Sequence, residues 1–449
     1  MINMFIGLML CFLSFLPIQV FANDKAAGNT ILSMQDRAAF IDQITQKRVK
    51  ELLPRLMTES EIDMWLMISR EYNEDPILKT FLPAEWLSAR RTTMFVFTKT
   101  EDNTVSAFAI APYKVGNIFE KAWDKNKHPD QWQALLALIE QHDPQKIGIN
   151  QSEYWAHADG LVATDKTKLL TTLSPKYQSR LVSAQALGVA WLEQRIPDEM
   201  SAYENMVAIA HEIIAQGFSN EVIKVGKTTT NDLVWWFRER VRTLKLQAWF
   251  HPSVNIQRKD NKAFDHVDSF TNGYQGNTIM PGDLLHVDFG ISYLRLNTDT
   301  QQHAYVLDMN ETKAPEELVA AFNSGNQLQD VFTNNFQVGR TGNEVLKLSR
   351  AQAIAQGLKP TIYTHPIGYH GHGAGTTLGM WDSQQGVAGS GDYPLHANTT
   401  YSIELNNAVY LKIWQKEIRI MLEEEAFYDG KTVRYLDGRQ TRLHIIENN

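Results

Sequence analysis

At 449 residues the chain is long enough for two domains with full cores. Its 43% hydrophobic and 21% charged content is that of a globular protein, which argues against disorder. A net charge of −8, with no run of Lys and Arg, argues against a nucleic-acid partner. The first element is an apolar run from Phe5 to Leu16, followed by Val20-Phe21-Ala22 and then polar Asn23-Asp24-Lys25. This pattern predicts a signal peptide over residues 1–22, cleaved after Ala22, and a periplasmic or secreted protein with no membrane partner after cleavage. No Lys or Arg precedes the run, which is short for a membrane span. Cys11, the one cysteine, lies inside this segment. The mature chain would have no thiolate, so any metal must sit among oxygen and nitrogen ligands.

From Met34 to about Met57, apolar residues recur at helical spacing. Strand-like runs follow at Met64–Ile68, Thr93–Phe97, Val105–Ile110 and Lys146–Ile149, with a helix over Gln131–His142. This alternation predicts an α/β domain over residues 23–180. Arg70, Arg90 and Arg91 read as solvated or ion-paired. Lys176 to about Leu192 reads as a connecting helix. Ile196-Pro197-Asp198-Glu199 then has Pro and two acids where a helix begins, and a second domain is expected over residues 181–449. Thr228 to Asp232 caps a further helix.

The chemistry concentrates in the second domain. Pro281-Gly282-Asp283 is a turn, and Leu284–Phe289 reads as a strand with Asp288 opposite the apolar face. A buried carboxylate needs a partner, and Asp299 follows eleven residues on. A turn cap or a Lys or Arg pair would serve either acid equally well. Thr364 to Gly375 brings three histidines, His365, His370 and His372, into a glycine-rich stretch. Tyr401 to Asn406 presents Glu404, and Ile420 to Phe427 presents Glu423 and Glu425 on one strand face with Glu424 opposite. Two Asp, one His and two Glu from separate strands make a hard, oxygen-rich site suited to a pair of divalent cations such as Mn²⁺, Co²⁺ or Zn²⁺.

On these residues, the region from about 195 to the C-terminus resembles the pita-bread metallopeptidases: methionine aminopeptidase, aminopeptidase P and prolidase. Pro281 to Gly290 is similar to the strand carrying that family's first Asp, and Asp299 falls at its second. Gly371-His372-Gly373-Ala374-Gly375 resembles its glycine-flanked metal His, Ser402-Ile403-Glu404 its first Glu, and Glu423 its last. The resemblance implies α/β architecture in two domains, a creatinase-like N-terminal domain and a C-terminal pita-bread fold with a dinuclear metal site. It implies metal ligands Asp288, Asp299, His372, Glu404 and Glu423, with Mn²⁺ favoured, and hydrolysis of N-terminal Xaa-Pro bonds in short peptides by a metal-bridged water. Glu404 or Glu423 would be the general base, and His266 and His370 would assist, with His251 a fallback for His266. A homodimer is expected. The family has a further His seven residues after the metal His. Counted from His372, that position is Gly379, so Trp381, Asp382, His370 or His365 would have to stand in. Creatinase-like hydrolases or lyases, and non-enzymatic binding proteins, share the fold and are the alternative functions.

Overall fold

A computed structural model of the protein describes residues 31–265 and 276–448. The expected signal peptide and His266 lie outside the described residues. From Leu32 onward the chain forms one compact unit. Among the described residues no helix is long and apolar enough to cross a membrane.

The first half is organised on a six-stranded sheet. Its central strand, Met64–Arg70, runs antiparallel to Thr92–Lys99 and parallel to Ile147–Ile149. The unbroken apolar run suits a strand covered on both faces. Trp65 and Met67 pack with Leu53, Phe81 and Trp191, whereas Met64, Leu66 and Ile68 pack with Leu135, Ile139 and Leu169. The helix Gln131–His142 lies where its periodicity predicts, with the Asp130 side chain accepting from the Trp132 N–H. The first predicted helix is divided into Met34–Glu51 and Leu53–Glu59. Pro54 cannot donate a backbone hydrogen bond and fits only the first turn of the second piece.

The expected connecting helix over Lys176–Leu192 does not form as one element. Pro175–Gln178 is a single turn, Leu181–Ser183 is a strand, and Gln185–Glu193 is the helix. Leu181 and Val182 pair with Ile147 and Gly148 and complete the first sheet, which therefore extends past residue 180. The following helix, Pro197–Gly217, is tied back to the first by Arg48, which is fully buried. Arg48 Nη1 donates to Glu199 Oε2 at 2.6 Å, and its guanidinium lies over the Trp191 ring. Glu199 also accepts the Ile196 N–H, so the acid that begins the helix is paired on both sides.

Among the described residues the second half folds as three small sheets and a two-stranded ribbon. Leu284–Phe289 pairs antiparallel with Thr300–Val306 and with Ser253–Gln257. Leu405–Leu411 pairs with Lys416–Leu422 in a second sheet. Thr399–Ser402 pairs with His365–Pro366 and with Glu425–Tyr428 in a third. The chain changes sheet twice within a few residues, between Ser402 and Leu405 and between Leu422 and Glu425. Glu404 and Glu423 occupy these junctions, so each expected continuous strand is broken at its glutamate. Backbone bonds hold the junctions together: Ile403 N–H donates to the Glu424 carbonyl at 2.9 Å, and Gln301 N–H to the Glu423 carbonyl at 3.0 Å. Side chains from three sheets can therefore converge there.

Candidate metal centre

The two aspartates come from one hairpin excursion. After Asp288 the chain forms a short ribbon in which Tyr293 pairs with Leu296. Leu294 and Arg295 between them have φ of 54° and 66°, the left-handed pair that closes a tight hairpin. Arg295 donates to the carbonyls of Thr80 and Leu82, which anchors the ribbon. The chain returns so that Gln301 lies opposite Asp288, with Asp299 just ahead of it.

Asp288, Asp299 and Glu423 offer carboxylate oxygens within 4.8 Å of one another. His365 faces three acids at once. Its Nε2 lies 3.5 Å from Glu423 Oε1, 3.8 Å from Asp299 Oδ2 and 3.8 Å from Glu404 Oε2. Burial, followed by the charge of Glu423, pushes the carboxyls of Asp288, Asp299 and Glu404 well above the usual range. Two neutral donors are built into the cluster. Ser402 Oγ donates to Glu423 Oε1 at 2.6 Å, and Gln301 Nε2 donates to Glu404 Oε1 at 2.6 Å and Glu423 Oε2 at 2.7 Å.

The donor set fits a metal. Asp288 Oδ1, Asp299 Oδ1 and His365 Nε2 are sealed from solvent and have no hydrogen-bond partner. Among the described residues no Lys or Arg pairs with any of the four acids. Four clustered carboxylates without a cation are costly, and a hard divalent ion is the charge that oxygen ligands and one imidazole select.

The histidines divide differently from the sequence expectation. The reading from the glycine frame placed His372 among the acids. In the structure His365 holds that place, because pairing with Ser402 fixes it on a strand beside the glutamate junction. His372 lies on the exposed side of His365, their rings edge to face at 4.7 Å, and still comes within 4.8 Å of Asp299. Glycine shapes this loop: a Cβ on Gly371 would meet the Trp249 ring at 2.3 Å. Gly379 offers no room for a side chain, since its Cβ would come within 2.3 Å of the Ile362 carbonyl oxygen. Seven residues after His365 stands His372, so the family spacing is met without Gly379.

His370, expected to assist, points away from the acids. Its ring lies 4.4 Å from that of His157, and burial, then His157, pushes its pKa down to about 3. His251 bonds Arg238 at 3.1 Å and meets the Trp235 ring edge to face. Asp382 is exposed and accepts from Ser383. Glu425, the alternative to Glu423, accepts the Asp299 N–H and, at 3.1 Å, the Thr300 hydroxyl. It thus positions Asp299 from behind. Glu424 turns the other way, to His211 Nε2 at 2.7 Å and Gln302 Nε2 at 3.1 Å. Against burial, which lowers it, the Glu424 charge and Asp437 raise His211 to about 10. Sequence reasoning passed over Gln301, Ser402 and His211. Gln301 lies in the polar run Thr300-Gln301-Gln302-His303, which is wholly buried in the structure.

The same architecture occurs in solved structures that the chain overlays almost end to end. X-Pro aminopeptidase from Thermotoga maritima aligns with a TM-score of 0.59 at 14% identity, covering 87% of this chain and 99% of that one. Xaa-Pro dipeptidase from Bacillus anthracis aligns at 0.54 and 16%, covering 92% and 100%. A His350Ala variant of Escherichia coli aminopeptidase P aligns at 0.57 and 12%, covering 92% and 97%. Among curated proteins none matches. These likenesses establish the two-part α/β, pita-bread architecture. The family model for metallopeptidase family M24 matches residues 202–434, more than half of the chain and all of the acid and histidine cluster. The chain belongs to metallopeptidase family M24.

Proposed function

We propose that this metallopeptidase removes the first residue from peptides with proline second, using two divalent ions, with Mn²⁺ the favoured metal. The observation that carries the reading is the convergence of His365 on Asp299, Glu404 and Glu423, with Asp288 alongside and, among the described residues, no Lys or Arg to balance them. His365, Asp299, Glu404 and Glu423 would hold one ion, and Asp288, Asp299 and Glu423 the other. The bound ions would supply Lewis acidity toward the scissile carbonyl and a water nucleophile at neutral pH.

The remaining work falls to the chain's own groups. Glu404 turns Oε2 toward His365 while Oε1 is held by Gln301. A carboxylate fixed in that way can take a proton from the attacking water and pass it to the leaving nitrogen. His372, exposed at the mouth of the cluster, is placed to donate to the substrate carbonyl as charge develops there. The nitrogen of proline carries no hydrogen in an Xaa-Pro bond, so a site that grips the carbonyl is not handicapped by its loss. Solved proteins of this architecture named X-Pro aminopeptidase and Xaa-Pro dipeptidase support that substrate class.

The test is a panel of Xaa-Pro dipeptides, Xaa-Pro-Yaa tripeptides, Xaa-Ala controls and non-peptide amidines, each with the Mn²⁺-loaded mature protein. Release of the first residue from the proline peptides, stopped by chelator, is expected. Turnover of the amidines alone would overturn the peptide reading in favour of a creatinase-like one. Residues 1–22 have the pattern of an export signal, so N-terminal sequencing of the protein from the cell envelope should begin at Asn23. Recovery of intact Met1 in cytoplasm would remove that part of the proposal.

A further inference from the structure

Gln301 stands where the site's elements cross. It lies opposite Asp288 in one strand pair. On its other side it exchanges two backbone bonds with Glu423, at 3.0 and 3.2 Å. Its side chain is buried and fully committed. Each of its two amide hydrogens meets a glutamate, Glu404 Oε1 at 2.6 Å and Glu423 Oε2 at 2.7 Å. That fixes the amide orientation, because only the NH₂ end can donate to two carboxylates. The amide oxygen must then be an acceptor, and His286 Nε2 at 2.9 Å is the donor that meets it.

The consequence concerns the other oxygen of each glutamate. With Oε1 of Glu404 and Oε2 of Glu423 held by one amide, Oε2 of Glu404 and Oε1 of Glu423 are the atoms that face His365. We propose that Gln301 is a positioning residue for both glutamates: it presents one oxygen of each to the metal and, with His286 behind it, keeps the pair from turning. This rests on the reading of the cluster as a metal centre. A hydrogen bond to a metal-ligating carboxylate fixes its orientation before the ion arrives, and loss of such a partner costs about 10- to 100-fold in metal affinity. The competing possibility has the opposite sign. If the amide merely occupied oxygens that the ions need, removing it would free two ligand atoms and tighten binding.

The experiment is a calorimetric Mn²⁺ titration of the full mature chain, with ion content checked by elemental analysis. Wild type is compared with Gln301→Met, which keeps the buried volume and loses both donors, and with Gln301→Asn, which is too short to span both glutamates. The expected result is Mn²⁺ binding by wild type and about 10- to 100-fold weaker binding by both variants, with the metal-free variants retaining the wild-type circular dichroism. Unchanged or tighter binding in the folded variants overturns the proposal and leaves the metal centre standing. No binding by wild type overturns both. If neither variant folds without metal, Gln301 is a structural residue and the positioning role is rejected.

Discussion

His365→Ala is expected to lower proline-peptide hydrolysis by about a thousandfold or more and to reduce the bound metal. Losing an ion's charge stabilisation costs several kcal/mol of barrier, and each 1.4 kcal/mol or so is tenfold. The reason is positional. His365 Nε2 is the one imidazole nitrogen within 4 Å of three of the acids among the described residues, and it has no hydrogen-bond partner to lose. The contrast is His372→Ala. Its ring stands outside that of His365 and is exposed, so metal content should stay near normal while turnover falls by about 100- to 1000-fold, the usual loss for one donor to developing charge. Elemental analysis beside kinetics separates the two. Metal lost from the His372 variant and kept by the His365 variant would restore the assignment read from the glycine frame.

That reversal shows where sequence reading stopped. The acids were legible because the strand pattern marks them: Asp288 opposite an apolar face, Glu404 and Glu423 inside strand-like runs. Pattern did not show that both runs break at the glutamate, since the break comes from a change of sheet partner and leaves hydrophobicity intact. His365 was harder to read. It begins a two-residue edge strand whose second member is Pro366, and proline next to a residue argues against strand unless the edge is free. The loop glycines drew attention to His372 instead. The spacing of seven residues from His365 to His372 is the sequence feature that agrees with the placement of His365 beside the acids. Gln301 was missed for a related reason. Thr300-Gln301-Gln302-His303 is polar throughout and has no apolar face to mark it as a core strand, yet all four residues are buried strand because their partners come from other elements: Glu425 for Thr300, Glu404 and Glu423 for Gln301, Glu424 and His444 for Gln302, and the Met421 N–H for His303. A polar run can be core when its hydrogen bonds are supplied from a distance, and one sequence does not reveal that supply.

Glu423→Gln should move activity and stability in opposite directions. Glu423 belongs to both groups of residues that could hold an ion, so its loss should cut turnover by about a thousandfold and lower metal occupancy. In the metal-free protein the same carboxylate is a burden. After burial, its charge is the largest cause raising the carboxyls of Asp288, Asp299 and Glu404. Acids whose folded pKa lies above the unfolded value stabilise the fold fully below that unfolded value, near pH 4, and lose the contribution as pH rises through the folded one. The metal-free wild type should therefore lose stability as pH rises above about 4. Glutamine removes the charge that drives much of this loss. It also fits the donors around it: its carbonyl can accept from Gln301, and Ser402 Oγ can accept from its NH₂ and turn its single hydrogen to the Asp299 carbonyl at 3.0 Å. Like charges about 4 Å apart repel by about 4 kcal/mol at an effective dielectric near 20. Relief of even one such kilocalorie should raise the chelated variant's Tm above that of chelated wild type by about 2 °C at pH 8, with little difference at pH 4. Added Mn²⁺ should then reverse the order, since only wild type keeps the full ligand set. Equal melting of the two chelated proteins at every pH would mean that Glu423 is not the charge that strains this cluster.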